Sequence, residues 1–107
     1  MTYRIVIVPS ALKDLRTIKD LRVRRLILDR IDGLAKDPGK QGKPLIGTLS
    51  GYRSLRAAGQ RYRIIYRIVD ERIQILVLSI GLRREGDRRD VYQLFRRLIR
   101  LRLIDPE

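Results

Sequence analysis

The sequence predicts an α+β fold: an antiparallel sheet of about four strands in the order β-α-α-β-β-β-α. A helix hairpin covers one face of the sheet, and a further helix ends the chain. Three observations predict it. Short runs rich in branched and aromatic residues lie at 3–8 and, in a series of three, between residues 52 and 80. Apolar positions recur at helical spacing between Ala11 and Leu34. A last apolar stripe starts at Val91. With 107 residues, 44% of them hydrophobic, the chain can build one core, and a single domain over 1–107 is expected.

The elements follow in order. YRIVIV (3–8) reads as a strand, and Pro9-Ser10 ends it, with Ser10 placed to cap the next helix. Ala11, Leu12, Leu15 and Ile18 form one helical stripe. After a break at Lys19-Asp20, Val23, Ile27, Ile31 and Leu34 form a second. Arg22, Arg24, Arg25, Asp29 and Asp32 then fall mostly on outer faces, with Arg25–Asp29 and Asp32–Lys36 as solvated helix pairs. Residues 36–51 hold two prolines and four glycines and read as an irregular connector. Strands follow at about 52–57, 60–69 and 72–80. RIQILVLSI is apolar on both faces, which suits a central strand covered from both sides. A loop over 81–89 leads to a helix whose stripe is Val91, Leu94, Phe95, Leu98 and Leu101, with Arg96, Arg97 and Arg100 facing away.

Composition narrows the chemistry. Without cysteine there are no disulfides or thiolate metal sites, and without histidine the usual general base and zinc ligand are missing. No acidic pair reads as a buried catalytic pair of the glycosidase kind. No apolar run reaches the ~20 residues of a membrane span, and MTYRIVIVPS lacks a secretory pattern, so a cytoplasmic protein without a membrane partner is expected. Net charge is +13, and from Arg53 to Arg102 there are 14 arginines, no lysine and five acids. Arginine binds phosphate with a planar, permanently charged fork, so this distribution points to a polyanionic partner.

The hairpin over 52–69 concentrates that charge. Closing it around 57–60 puts Arg56 opposite Arg61, Ser54 opposite Arg63 and Leu55 opposite Tyr62. Strand alternation then collects Arg56, Arg61, Arg63 and Arg67 on one face, with Leu55, Tyr62, Ile64, Tyr66 and Ile68 on the other. Facing like charges destabilise a sheet, which favours a binding site over chance. Tyr52, Tyr62 and Tyr66 read as core or edge aromatics, with Tyr52 the one candidate for stacking on a base.

The element order, the hairpin YRSLRAAGQRYRIIYRIVDE, the strand exit SIGLRRE and the segment RRDVY together resemble the RelE/ParE superfamily of toxins from prokaryotic toxin–antitoxin pairs. The hairpin, and an exit arginine followed by a helix tyrosine, are closer to the RelE branch than to the ParE branch. That resemblance implies a ribosome-dependent mRNA interferase, an endoribonuclease inhibiting translation by cutting mRNA in the ribosomal A site. It implies attack of a ribose 2′-OH on the adjacent phosphate with no metal and no cofactor. Carried over by position, it assigns catalytic roles to Arg56, Arg63, Arg83 and Tyr92, with Arg63 and Arg83 on the phosphate and Tyr92 as base. Arg53, Arg61, Arg67, Arg84 and Arg89 become RNA-binding candidates. Implied partners are mRNA, rRNA and a cognate acidic antitoxin. Arg56 departs from the pattern, because the RelE branch often has lysine before the turn and arginine does not readily give up a proton. A ParE-like gyrase inhibitor and a non-catalytic nucleic-acid-binding or antitoxin-bound module are the alternative functions.

Overall fold

The computed structural model describes residues 2–102. Its strands are β1 (Arg4–Ile7), β2 (Lys43–Pro44), β3 (Arg53–Ala57), β4 (Tyr62–Val69) and β5 (Gln74–Leu82). Its helices are α1 (Pro9–Thr17), α2 (Leu21–Gly33) and α3 (Val91–Arg100). The α+β class and the helix hairpin are as the sequence predicts, but the sheet has five strands and is mixed. Its order is β1-β5-β4-β3-β2. β1 runs parallel to β5, with Arg4 opposite Gln74 and Ile7 opposite Val77, while the other neighbours are antiparallel. The doubly apolar run on β5 explains the difference. It needs cover on both faces and a neighbour on each side, and β1 fills the side that β4 leaves open.

Local chemistry sets the helix ends. Val8 precedes α1 and Pro9 occupies its first turn, where a missing N–H costs nothing. Ser10 is therefore not the cap; its hydroxyl donates to the Leu78 carbonyl at 3.1 Å and pins α1 to β5. Asp20 caps α2, its carboxylate accepting the Arg22 and Val23 amides at 2.9 and 3.4 Å. Arg25 pairs with Asp29 at 3.5 Å on an exposed face, as expected. Arg24 is half-buried instead, and its guanidinium donates to the Ile18 carbonyl at 2.6 Å across the helix break.

Two cores sandwich the sheet. On one face Ala11, Leu15, Ile27, Ile31 and Leu34 pack on Leu55, Ile64, Tyr66, Ile75 and Val77. On the other, Val91 and Phe95 of α3 pack on Leu49, Tyr52, Ile65 and Leu78. A β-bulge leaves Leu78 without a partner on β4, because Ile65 faces Ser79 while Tyr66 faces Val77. The extra residue lets β5 send Val77 and Ile80 to the first core and Leu78 to the second. Tyr52 is buried edge-on against Phe95, with ring centroids 4.9 Å apart, so it is a core aromatic rather than a stacking surface. The α3 stripe is shorter than expected. Leu94 is exposed within the helix, Leu101 is exposed just past its end at Arg100, and Leu98 and Ile99 are half-buried.

The connector is not structureless. Single 3₁₀ turns at Pro38–Lys40 and Gly47–Leu49 flank the two-residue strand β2, which pairs with β3. The Tyr66 hydroxyl, fully buried in the first core, holds this region by sharing its proton between the Pro38 and Gln41 carbonyls at 3.0 and 2.8 Å. Arg53 donates to the same hydroxyl and to the Gly39 and Gln41 carbonyls. Gly42 must be glycine: its φ is +61° and a Cβ there would meet the Ser54 carbonyl oxygen. Tyr66→Phe removes one of two donors from each of the Pro38 and Gln41 carbonyls and leaves the Arg53 Nε without its hydroxyl acceptor, so a loss of about 1–3 kcal/mol is expected in urea unfolding. Hydrogen exchange should show that β2 loosens more than β4.

Candidate functional site

The hairpin that carries the site closes one step wider than expected. Ala58, Gly59 and Gln60 all have positive φ, at 50°, 69° and 69°, and Arg61 joins them in the turn. Arg56 therefore faces Arg63, not Arg61, while Leu55 faces Ile64 and Ser54 faces Ile65. The register differs from the expected one by two residues. A shift of two preserves which face each side chain takes. Arg56, Arg63 and Arg67 thus keep their common face, and only Arg61 leaves the strand. Gln60 eases the Arg56–Arg63 opposition: its side-chain oxygen accepts from Arg56 at 3.1 Å and its carbonyl accepts from Arg63.

Asp90 positions the second half. It is 2% exposed and sits just before α3, where its carboxylate completes the helix end. One oxygen accepts from the Arg83 guanidinium and the Arg84 amide, both at 2.6 Å. The other accepts from the Tyr92 amide at 3.1 Å. Burial by itself would raise the Asp90 carboxyl, but these donors and the adjacent Arg83 charge hold it below the usual carboxylate range. Bonding to Asp90 raises Arg83 in turn. The Arg83 guanidinium lies over the Tyr92 ring, 4.9 Å from its centroid, and the Tyr92 hydroxyl is 2.6 Å from the Ser54 hydroxyl. Gly81, opposite Arg63, lets Val91 approach so closely that a Cβ would lie 3.1 Å from its side chain.

These contacts enclose an open cleft of about 600 Å³ between β2, β3, the strand exit and α3. Arg30, Lys43, Arg56, Arg63 and Arg83 line it with Ser54 and Tyr92, and Glu85 is the single acid among the lining residues. Arg56, Arg63, Arg83 and Tyr92, the four residues singled out from sequence, are brought together. The other five are not. Arg53 is tied to the connector carbonyls, and Arg61 is exposed in the hairpin turn, its carbonyl accepting from the Arg83 amide at 2.9 Å. Arg67 lies further along β4, opposite Leu76. The Arg84 side chain is exposed and Arg89 pairs with Asp87 at 3.4 Å. Sequence reasoning missed Asp90, although an aspartate directly before an apolar stripe is a helix-start signal. It also missed Arg30, Lys43 and Ser54, which local pattern does not mark. Among the described residues no cluster of acids could hold a metal ion, and no helix is long and apolar enough to cross a membrane.

Asp90→Asn keeps the shape and removes the charge. The two bonds to one oxygen weaken and the bond from the Tyr92 amide is lost, because an amide nitrogen cannot accept it, and a loss on the order of 2 kcal/mol at neutral pH is expected. A carboxyl held below its unfolded value, ~3.9, contributes stability above that pH and loses it as pH falls through the lower folded value. Denaturation followed from pH 6 to pH 2 should therefore show an acid-side loss in the parent that is smaller in the Asn variant.

The family model described as "ParE toxin of type II toxin-antitoxin system, parDE" matches residues 5–86. Toxin RelG of Mycobacterium tuberculosis is 29% identical over 89 residues, which cover 83% of this chain and 100% of that protein. Among solved structures, the toxin–antitoxin complex RelBE2 from the same organism contains a chain 31% identical to this one. That match covers 78% of this chain and 93% of the other, with a TM-score of 0.70. A double-arginine mutant of Escherichia coli toxin RelE in the free state shares the fold at 22% identity and a TM-score of 0.70. It covers 92% of this chain and 99% of the mutant.

Proposed function

Because the chain belongs to the RelE/ParE superfamily of type II toxin–antitoxin toxins, we propose that it is the RNA-cleaving kind, a ribosome-dependent endoribonuclease acting on mRNA. The observation that carries this reading is the meeting of Arg56, Arg63, Arg83 and Tyr92 in one cleft, with Tyr92 held at its ring by Arg83 and at its hydroxyl by Ser54. Such a group suits phosphoryl chemistry. The ribose 2′-OH attacks the neighbouring phosphate, Tyr92 takes its proton, and the P–O5′ bond breaks to leave a 2′,3′-cyclic phosphate and a 5′-OH. Charge on the phosphorane oxygens grows in the transition state, and fixed guanidinium donors there are the efficient way to stabilise it. Arg63 and Arg83 serve this role, with Arg56 as an added clamp. Arg61, Arg84 and Arg89 meet the RNA or rRNA backbone from outside the cleft. Arg53, bound to connector carbonyls, contributes through folding instead.

The partner that silences the toxin is an acidic antitoxin segment laid over the cleft. Charge complementarity supports it, and relatives of this chain are solved as complexes with antitoxins. A second reading, a ParE-like gyrase inhibitor on the same fold, is favoured by the description of the matching family model.

Primer extension on mRNA from translating ribosomes separates the two. The expected result is A-site cleavage that persists in EDTA and falls ~10²–10³-fold in Arg83→Ala, with Tyr92→Phe also strongly impaired. Intact mRNA combined with loss of DNA supercoiling would instead assign the gyrase function. RNA binding should weaken linearly in log K against log salt, with a slope of about 0.7 per phosphate contacted on a single strand. Arg63→Ala should lower that slope.

A further inference from the structure

Two cavities share a wall. Arg30 of α2 and Arg56 of β3 line the cleft that holds Arg63, Arg83 and Tyr92. The same two arginines line a second groove, of about 520 Å³, between α2 and the β3–β4 turn. Resting on the proposed RNA-cleaving function, we infer that this groove is a nucleotide subsite, which holds the base next to the scissile phosphate and reads its identity.

The lining suits a base. On the hairpin side Ala57, Ala58 and Gly59 follow one another, and Leu26 lines the groove from α2. Small side chains on one side and an aliphatic one on the other leave an apolar slot. Leu26 is 46% exposed, and apolar area left in water favours being covered by a flat ring. The turn keeps the slot open. Ala58, Gly59 and Gln60 all take positive φ, and a Cβ on Gly59 would meet nothing within 4 Å beyond its chain neighbours. The volume falls within the range of about 300–1,000 Å³ that small-ligand clefts occupy.

The rim supplies charge and hydrogen bonds. Arg30 Nε donates to the Arg56 carbonyl at 3.2 Å, which ties α2 to β3 at the shared wall. The terminal nitrogens of Arg30 have no other partner among the described residues and are left for a phosphate. The Gln60 side-chain oxygen accepts from Arg56 at 3.1 Å, so its amide NH₂ is left to donate. Asp29 lies three residues after Leu26, on the same helix face, and brings a carboxylate whose one ion-pair partner among the described residues is the exposed Arg25. An acceptor and a donor thus flank an apolar slot, the pattern that reads a base edge, while arginines hold the backbone. An RNA strand with its scissile phosphate at Arg63 and Arg83 then continues past Arg56 into the groove. An acidic protein segment is the poorer occupant, because it has no side-chain donor to offer Asp29.

The test maps the 5′-OH ends released from ribosomes translating an mRNA pool of randomised codons. Leu26→Ser and Asp29→Asn should each change the base preference at one fixed position beside the cut by about tenfold, the scale of one base contact, and leave other positions unaltered. Asp32→Asn removes the same charge from α2 outside the groove and should keep the parental profile. Leu26, Asp29 and Asp32 are all exposed, so the three variants should unfold at the parental urea midpoint. A parental profile in both groove variants overturns the subsite, as does an equal change in Asp32→Asn, which would trace the effect to net charge. A parental profile combined with weaker inhibition by polyglutamate would give the groove to an acidic peptide and overturns the subsite as well. A parent that releases no 5′-OH ends overturns the proposed function itself, and the subsite with it.

Discussion

One buried carboxylate holds the site together. Asp90 lies at the junction of a strand exit and a helix, where the chain turns from β5 into α3. Removing a carboxylate from water is expensive, and it is tolerated here because three donors meet it: a guanidinium and two backbone amides. Each donor is a piece of the cleft or leads to one. Arg83 is fixed by the ion pair and lies on Tyr92, and Tyr92 reaches Ser54 on β3. A path of direct contacts thus runs from the helix start, across the cleft, to the hairpin. Hydrophobic packing of Val91 and Phe95 sets where α3 rests, and Asp90 sets where its first turn points.

The opposing hairpin works under a different constraint, the repulsion of like charges. Arg56 faces Arg63 directly, an arrangement a sheet disfavours. Part of the cost is relieved by the turn, where Gln60 offers an acceptor to each guanidinium. The remainder stays as an uncompensated positive field in a cleft of about 600 Å³ with one acidic lining residue. Low-dielectric walls focus such a field, which strengthens the attraction of a bound anion. A phosphate or an acidic partner segment bound in the cleft would relieve that repulsion.

The third support is the connector, which a reading of composition treats as slack. Tyr66 and Arg53 turn it into part of the wall. A buried phenol and a guanidinium bind successive connector carbonyls, and Gly42 supplies the backbone conformation that close approach needs. The Arg53 guanidinium, expected to contact RNA, contributes here by holding the wall of the cleft. Arginine is suited to this because its fork can satisfy several carbonyls at once.

Local pattern alone marked the three helices and four of the five strands, together with the faces they present. Periodicity placed both hairpin helices, the Asp20 break between them and the doubly covered strand β5, since burial leaves a regular mark on local pattern. Alternation put Arg56 and Arg63 on one face, and that conclusion survived a register error of two residues because strand parity did not change. Family likeness then selected the four residues that meet in the cleft. It took the fold to show that β1 runs parallel beside β5, that β2 pairs with β3, and that Leu78 bulges. It alone buried Asp90 and brought Lys43, Arg30 and Ser54 to the same cavity as Tyr92. The physical reason is range. Propensity and periodicity act over a few neighbouring residues, whereas a carboxylate's burial or a lysine's position depends on chain segments that meet only after folding. Tyr92 and Ser54, 38 residues apart in the chain, are joined by one hydrogen bond that no local pattern encodes.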